Sequence, residues 1–293
     1  MNESTSDKPY LEQMRAAFHV ALRKNLLTVS SQGIPSNSDK SSKLSVAIGK
    51  GVIDALGNVQ VSDRLVAQTS GNKFEEVVAS YIQSAFLCLS HLRPGRWTIK
   101  KGMKRDSSLG RFEQYKHLRY LESAAVDDSE LAAAMGKDYI ITPDVVVYRS
   151  PEPDDAINTD SLNYLGETQD LCNYADLRRV NGGQDILHAS ISCKWTMRSD
   201  RAQNSRTEAL NLIRNRKGRL PHIMVVTAEP LPSRLASIAL GTGDVDCVYH
   251  FALNEMLRVA QAMRDEEAYN LLKIMVDGKR LKDIADLPLD LAI

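Results

Sequence analysis

Residues 187–219 read LHASISCKWTMRSDRAQNSRTEALNLIRNRKGR, and this stretch indicates how the rest of the chain is organised. Apolar and polar residues alternate as far as Lys194, which is the pattern of a β-strand. Asp200 then offers a helix N-cap, Gln203 stands where a capping box needs it, and Gly218 is suited to end the helix. The sequence therefore predicts a strand that ends in a lysine, followed within a few residues by a long helix.

The predicted helix carries a strong local positive charge. Arg201, Ser205 and Glu208 are spaced i, i+4 and i+7, so they share one face, and Arg201 and Glu208 lie roughly 10 Å apart along the axis. Residues 194–219 contain eight Lys or Arg against two acids, whereas the whole chain has 37 of each kind and no net charge. This pattern favours a polyanion as the binding partner, held beside a small acidic pocket.

The composition is that of an ordinary globular protein. Of 293 residues, 43% are hydrophobic and 25% are charged, which suits one large domain or two small ones. No apolar run reaches the 18 or so residues of a membrane span, and the N-terminus lacks the apolar region of a signal peptide. The four cysteines are scattered, so we expect reduced, mostly buried thiols, no zinc site and a cytoplasmic location.

The N-terminal third is predicted to be mostly helical. A helix is expected over 9–27, and a Ser-rich polar loop over 30–45 is the candidate linker. A further loop over 65–73 leads into an amphipathic helix over 73–91, in which Glu75 falls in the first turn.

Strands and helices alternate through the C-terminal half. Predicted strands cover 139–148, 187–194, 222–228 and 245–250, and predicted helices cover 112–135, 168–179, 199–217, 231–240 and 251–272. Such alternation predicts an α/β fold with a central mixed β-sheet flanked by helices on both faces. We expect a single domain over 1–293, in which a helical part of about 1–95 packs on a core of about 96–293.

Three charged residues form a candidate catalytic set. Asp144 follows Pro143 in a strand-like stretch, Lys194 ends the strand quoted above, and Glu208 lies on the helix after it. Two carboxylates can hold Mg²⁺, which prefers oxygen ligands and lowers the pKa of a bound water. A neighbouring ammonium can orient that water and stabilise developing charge. The set therefore suits metal-assisted hydrolysis of a phosphodiester.

The order of these residues resembles that of the PD-(D/E)xK restriction endonucleases. Most members of that family carry an acid two residues before the lysine, and this chain departs from them by having Ser192 there. In the subgroup that cuts palindromes with a CCGG core, the acid is relocated to the following helix, where Glu208 stands. Residues 194–201, KWTMRSDR, are similar to the segment that reads CCGG in that subgroup. The resemblance implies a restriction-endonuclease-like fold.

The resemblance also implies a role for each residue of the candidate catalytic centre. Asp144 and Glu208 would bind Mg²⁺, with the backbone carbonyl of Cys193 as a further ligand. Lys194 would act on the attacking water, and Glu75 would be a supporting acid near the metal. These roles describe a type II restriction endonuclease with Mg²⁺ as its cofactor.

Five further residues would read double-stranded DNA. Arg198, Asp200 and Arg201 would read the inner CCGG, since arginine suits guanine O6 and N7 and aspartate accepts from cytosine N4. Gln68 and Ser41 would read the outer base pair. The implied site is GCCGGC, cut before the first C to leave four-base 5′ overhangs. A palindrome requires two-fold related subunits, and the resemblance implies a homotetramer built as a dimer of dimers.

Each of these residues also has an ordinary structural interpretation. Asp144 after a proline can form a turn, Asp200 can simply cap its helix, and Lys194, Glu208 and the arginines can be solvated surface groups. Their joint order and spacing favours the catalytic interpretation. Two other functions stay open at this point: a repair or recombination nuclease that recognises DNA structure, and a DNA-binding protein that has lost catalysis.

Overall fold

A six-stranded mixed sheet lies at the centre of the fold. Two short parallel strands, β1 (Thr28–Val29) and β2 (Gln60–Val61), pair apart from it. The main sheet has the order β3 (Trp97–Lys101), β4 (Val145–Arg149), β5 (Ile186–Lys194), β6 (His222–Thr227), β7 (Cys247–His250) and β8 (Leu281–Asp283). Strands β3, β4 and β5 pair antiparallel, and β5 to β8 are parallel.

Ten α-helices accompany the strands in the part of the chain that the structure describes. They are α1 (Tyr10–Asn25), α2 (Lys43–Leu56), α3 (Ala67–Phe86), α4 (Lys116–Asp127), α5 (Asp154–Ile157), α6 (Ser199–Asn215), α7 (Pro232–Ala239), α8 (Leu253–Ala262), α9 (Glu266–Asp277) and α10 (Leu287–Asp290). Helix α3 packs on β3, β4 and β5, α7 packs on β7, and α8 and α9 pack on β8. The prediction of an α/β fold, with a mixed sheet flanked by helices, is confirmed.

The structure is a computed structural model. It describes residues 8–57, 59–62, 67–102, 109–127, 143–166, 171–197, 199–241 and 243–293, and for 67–69, 121–122, 124–127 and 199–202 it describes the backbone only. Within those ranges, no helix has both the length and the apolar character that a membrane span requires.

Strand β5 is buried along almost its whole length. It lies between β4 and β6, and even its polar residues His188 and Ser190 are only 7% exposed. Alternation of apolar and polar residues is typical of a strand with one buried face, but a strand in the middle of a helix-covered sheet is buried on both. The hydrophobic core is one connected cluster that includes side chains from Phe18 to Leu291. A single domain over 1–293, in which a helical part of about 1–95 packs on a core of about 96–293, stays a prediction.

Helix α3 begins six residues earlier than its apolar pattern indicates. The prediction of a loop over 65–73 is wrong for residues 67–73, which are helical, so Gln68 lies in a helix and Glu75 lies beyond its first turn. This first stretch, AQTSGN, has no apolar periodicity of its own. Tertiary packing supplies the missing information, because Ser70 is 5% exposed.

The C-terminal region contains more elements than predicted. The single helix expected over 251–272 is wrong: α8 and α9 are separated by a break in which Arg264 has φ +55° and Asp265 caps α9 by accepting from the Ala268 N–H at 3.0 Å. The tail then adds β8 to the sheet edge, a strand too short for an alternating pattern to reveal.

Three smaller expectations also differ from the structure. Residues 171–178 form turns and are followed by a 3₁₀ turn over Arg179–Asn181, so a helix over 168–179 is wrong for the described residues, with 167–170 outside them. The polar loop over 30–45 is packed rather than a linker, since Asn37 is 1% exposed and donates to the Ala228 carbonyl at 2.7 Å. Of the four free cysteines, only Cys193 and Cys247 are buried.

Candidate active site

Asp144 lies where three strands of the sheet meet at one end. It directly precedes β4, which is antiparallel to β5, so the start of β4 faces the last residues of β5. The Asp144 Oδ2 atom accepts from the Cys193 backbone N–H at 2.7 Å and from Lys194 Nζ at 2.9 Å. The Asp144 carbonyl accepts from the Gly102 N–H at 2.7 Å, just after β3. Residues 50 positions apart in sequence are thus joined directly.

Lys194 is a half-buried ammonium among carboxylates. Its side chain is 16% exposed and forms an ion pair with Asp144. Burial alone would lower the pKa of Lys194, but the negative charges of Asp144 and Glu208 outweigh burial and raise it. The side chain is therefore a fixed cation at neutral pH, and it can donate hydrogen bonds to a water or a phosphate oxygen but cannot accept a proton.

Glu75 and Glu208 add negative charge to the same site. Burial and, after it, the nearby Asp144 carboxylate raise the pKa of Glu75 to about 7, although Lys101 and Lys194 oppose the shift. Burial also raises the pKa of Glu208, against the effect of Lys194 and with that of Asp144. The structure therefore brings the predicted acids into one electrostatic cluster, although they come from α3, the start of β4, and α6.

Ser192 connects β5 to the helix that carries Glu208. Its hydroxyl lies 3.3 Å from that of Ser205, which is 3% exposed and sits three residues before Glu208 on α6. Residues three apart lie on the same helix face. The Ser192 hydroxyl thus contacts the helix face on which Glu208 lies.

The donor set around Asp144 fits Mg²⁺. Asp144 Oδ1 accepts no hydrogen bond from a described residue, since both of the bonds above go to Oδ2. The N–H and C=O of one strand residue point to the same side, so the Cys193 carbonyl faces the side on which Asp144 lies. Among the described residues, no three His, Cys, Asp or Glu side chains enclose a metal on their own. Mg²⁺ commonly binds through one or two carboxylates and keeps several waters, which matches Asp144 and Glu208.

The predicted base-reading residues are placed less completely. Arg198 lies outside the described residues, and Asp200 and Arg201 lie in the first turn of α6, where the backbone alone is described. Gln68 is likewise known only as a backbone position near the start of α3. Ser41 is exposed, and its N–H and Oγ both donate to Asp39 Oδ1, at 3.0 and 2.7 Å.

Several residues near the site were not found from the sequence. Lys101, at the end of β3, affects the pKa of Glu75 and lies 3.6 Å from Glu76. Trp195 packs edge-on against Phe74 with ring centroids 5.3 Å apart, and so joins α3 to the end of β5. The position of Trp195 directly after Lys194 could have indicated its importance. Nothing in the sequence marks Lys101, because its role depends on the pairing of β3 with β4.

Comparisons with known proteins identify the family of the chain. The family model described as the NgoMIV restriction enzyme matches residues 18–293. A relative, Type II restriction enzyme NgoMIV of Neisseria gonorrhoeae, is 53% identical over 287 residues, which cover 97% of this chain and 99% of the relative. The solved structure of Type IIF restriction endonuclease Bse634I with cognate DNA aligns with a TM-score of 0.36 and 15% identity, over 70% of this chain and 79% of that one. A structural likeness of that size supports no conclusion about this chain.

Proposed function

The chain belongs to the NgoMIV restriction enzyme family and is a type II restriction endonuclease, and we propose that it cuts double-stranded DNA at GCCGGC. Cleavage before the first C of each strand would leave four-base 5′ overhangs. The observation that carries the catalytic part of this proposal is the convergence of Asp144, Lys194 and Glu208. A carboxylate and an ammonium from separate strands are 2.9 Å apart, beside a helix that presents a second carboxylate.

The chemical roles follow from the charges at the site. Asp144, Glu208 and the Cys193 carbonyl would hold Mg²⁺, which polarises a phosphate and lowers the pKa of a bound water. Lys194, a fixed cation, would orient the attacking water and stabilise the negative charge that develops on the phosphate. Glu75 would support the centre from α3 as a further negative group.

The residues that would read bases come directly after β5 in the sequence. Helix α6 begins five residues after Lys194, so Arg198, Asp200 and Arg201 lie next to the site in sequence, on or just before its first turn. In the major groove, the two arginines would read guanines of the CCGG core and the aspartate would accept from cytosine N4. Gln68 and Ser41 would read the outer base pair.

The assembly would match the symmetry of the DNA. A palindrome presents the same bases to two subunits related by a two-fold axis, so at least a dimer is required. We propose a homotetramer of two back-to-back dimers, which binds two sites in the cytoplasm.

Digestion of a plasmid of known sequence tests the proposal. With Mg²⁺ the protein should give discrete fragments, and sequencing of their ends should find GCCGGC with four-base 5′ overhangs. EDTA should abolish cutting. Nicking that follows DNA structure instead of sequence would indicate a repair or recombination nuclease, and retardation of DNA without cutting would indicate a binding protein. Either result would overturn the proposal.

A further inference from the structure

Glu229 is a fully buried carboxylate next to the proposed reading segments. It follows β6 by two residues and is 0% exposed. Its Oε2 atom accepts from the Met197 backbone N–H at 2.7 Å, and its Oε1 atom accepts from the Leu231 N–H at 3.1 Å. A carboxylate without such donors would be very costly to bury. The two bonds offset that cost, and they fix the Glu229 side chain together with the backbone at Met197 and Leu231.

The Met197 contact places Glu229 under the segment that would read CCGG. Met197 lies between Lys194 and the start of α6, and it directly precedes Arg198. No regular ladder holds the backbone here, because β5 has ended and α6 has not begun. The bond from the Met197 N–H to Glu229 therefore anchors the backbone at Met197, the residue that directly precedes Arg198 in the sequence.

A second branch runs from Glu229 to the loop that carries Ser41. Arg234 Nη1 lies 3.6 Å from Glu229 Oε2, and Arg234 Nη2 donates to Asp39 Oδ2. The other oxygen of Asp39 accepts both the N–H and the hydroxyl of Ser41. One continuous polar network thus links Met197, on the inner-reading segment, with Ser41, on the outer-reading loop.

Further hydrogen bonds join the elements around Glu229. Asn37 donates to the Ala228 carbonyl at 2.7 Å, and Trp195 Nε1 donates to the Ser36 carbonyl at 3.2 Å. Arg206 of α6 donates to the Ser237 carbonyl of α7 at 2.7 Å. The loop before α2 is thus tied both to the residue after β6 and to the residue after β5, and helix α6 is tied to α7. Glu229 is a fully buried carboxylate in the segment between β6 and α7.

We propose that Glu229 is a positioning residue for sequence discrimination, which sets the backbone at Met197 for the inner base pairs and, through Arg234 and Asp39, the Ser41 loop for the outer pair. The inference rests on the proposed function, since it concerns how the reading residues are held. Glu229 does not contact DNA in this arrangement. Its effect is on the ratio of affinities for related sites, because a shift of the reading backbone weakens contacts made only with the correct bases.

The test compares Glu229→Gln with Glu255→Gln. Glutamine has the shape of glutamate but puts an NH₂ group against a backbone N–H, so one bond at Met197 or Leu231 is lost. Glu255 is a matched control, because it is 6% exposed and bonded to an arginine, Arg15, but it contacts neither reading segment among the described residues.

The readout is binding of three duplexes in Ca²⁺: GCCGGC, GCGCGC with altered inner pairs, and ACCGGT with altered outer pairs. Glu229→Gln should reduce the preference for GCCGGC over GCGCGC by about tenfold, near the low end of what one base pair contributes, with thermal stability close to that of Glu255→Gln. A preference within about twofold of the Glu255→Gln value would overturn the inference, as ordinary non-additive scatter is of that size.

Asp39→Asn separates the two branches of the network. Asp39 has a side chain that is 24% exposed, so the variant should fold. It should reduce the preference for GCCGGC over ACCGGT and leave that over GCGCGC unchanged. Loss of both preferences, or of neither, would refute the outer branch. If the unaltered protein binds all three duplexes equally, the proposed function fails together with the inference. Discrimination that survives in Glu229→Gln defeats the inference alone.

Discussion

Two clusters of buried charge lie at the ends of strands in the main sheet. One consists of Arg15, Glu255 and Asp283, and the other surrounds Lys194. They differ in how many hydrogen-bond donors their carboxylate oxygens have. Arg15 donates to both oxygens of Asp283 at 2.7 Å and to both oxygens of Glu255 at 2.6 and 3.1 Å. Asp283 also accepts from the Leu253 N–H at 3.0 Å. Every carboxylate oxygen of this cluster has a donor.

In the cluster around Lys194, several carboxylate oxygens have no donor among the described residues. Asp144 Oδ1 and the carboxylates of Glu75 and Glu208 accept no hydrogen bond from a described residue. The pKa shifts of the glutamates in the two clusters agree with this difference in donors. Burial would raise the pKa of Glu255, but the bonds from Arg15 outweigh burial and lower it, whereas those of Glu75 and Glu208 are raised.

The Arg15 cluster is therefore suited to stabilising the fold, and the cluster around Lys194 is suited to binding a ligand. A buried acid whose oxygens all accept hydrogen bonds helps to define the structure, and it has no oxygen lone pair positioned for a ligand. Acids that lie close together, with few donors among the described residues, repel one another, and a divalent cation with its waters can offset that repulsion. The second pattern is typical of functional sites.

The largest expected effect is on catalysis. Asp144→Ala should reduce the rate of cleavage by about a thousandfold or more, because it removes a metal ligand that contributes several kcal/mol. Binding in Ca²⁺ should persist, because no base contact is lost. Asp246→Ala is the control: Asp246 accepts the Ile223 backbone N–H at 2.7 Å, as Asp144 accepts that of Cys193. Undiminished cutting by Asp144→Ala would refute the metal assignment.

Arg15→Ala should produce the largest loss of stability. It leaves Glu255 and Asp283 buried without their donor, which should lower the free energy of unfolding by about 3–5 kcal/mol. Urea unfolding measures the loss, and cleavage at low temperature should continue. Arg258→Ala removes a 70% exposed partner of Glu255 and should cost less than about 1 kcal/mol. Equal losses in the two variants would contradict the claim that the buried Arg15 bonds contribute more to stability than an exposed ion pair.

Glu75→Gln should change how stability depends on pH in the metal-free protein. The folded pKa of Glu75, about 7, lies above its unfolded value of 4.5, so the folded state binds more protons between these values. Its contribution is therefore fully present below pH 4.5 and is lost as pH rises to about 7. After a discount for partial exposure, the loss should be about 1–2 kcal/mol.

Thermal unfolding in EDTA at a series of pH values measures the Glu75 effect as a difference between the unaltered protein and the variant. Glu76→Gln is the control, because the Glu76 side chain is 70% exposed. If Glu75→Gln and Glu76→Gln give the same pH profile, Glu75 does not belong to the crowded acids of the site.

Ser192→Ala should have the smallest effect. It removes the contact between β5 and α6 through Ser205, and one neutral hydrogen bond contributes about 0.5–1.5 kcal/mol. Cleavage should slow by roughly 3–10-fold, with binding preserved. Ser190→Ala, two residues earlier on the same strand face, should leave the rate unchanged. A loss as large as that of Asp144→Ala would instead place the Ser192 hydroxyl among the groups that touch the reacting atoms.

That Asp144, Lys194 and Glu208 belong to one candidate site could be proposed from the sequence because their order follows a motif, and the structure brings them together. Asp144, Lys194 and Glu208 have the spacing of a known family, and the strand and helix that carry two of them have clear local periodicity. The early start of α3 and the break between α8 and α9 were missed for the opposite reason. Residues 67–72 have no apolar pattern, and the break at Arg264 interrupts a pattern that continues on both sides.

Local pattern in the amino-acid order was sufficient for the chemical class of this protein and for most of its elements, since side-chain periodicity and motif spacing are properties of neighbouring residues. It was not sufficient for Glu229, which stands before a proline in an ordinary turn sequence. That carboxylate is important because β6 pairs with β5 and brings it beneath Met197, 32 positions earlier in the chain. Contacts between distant residues depend on how strands pair and helices pack, and no short stretch of sequence carries that information.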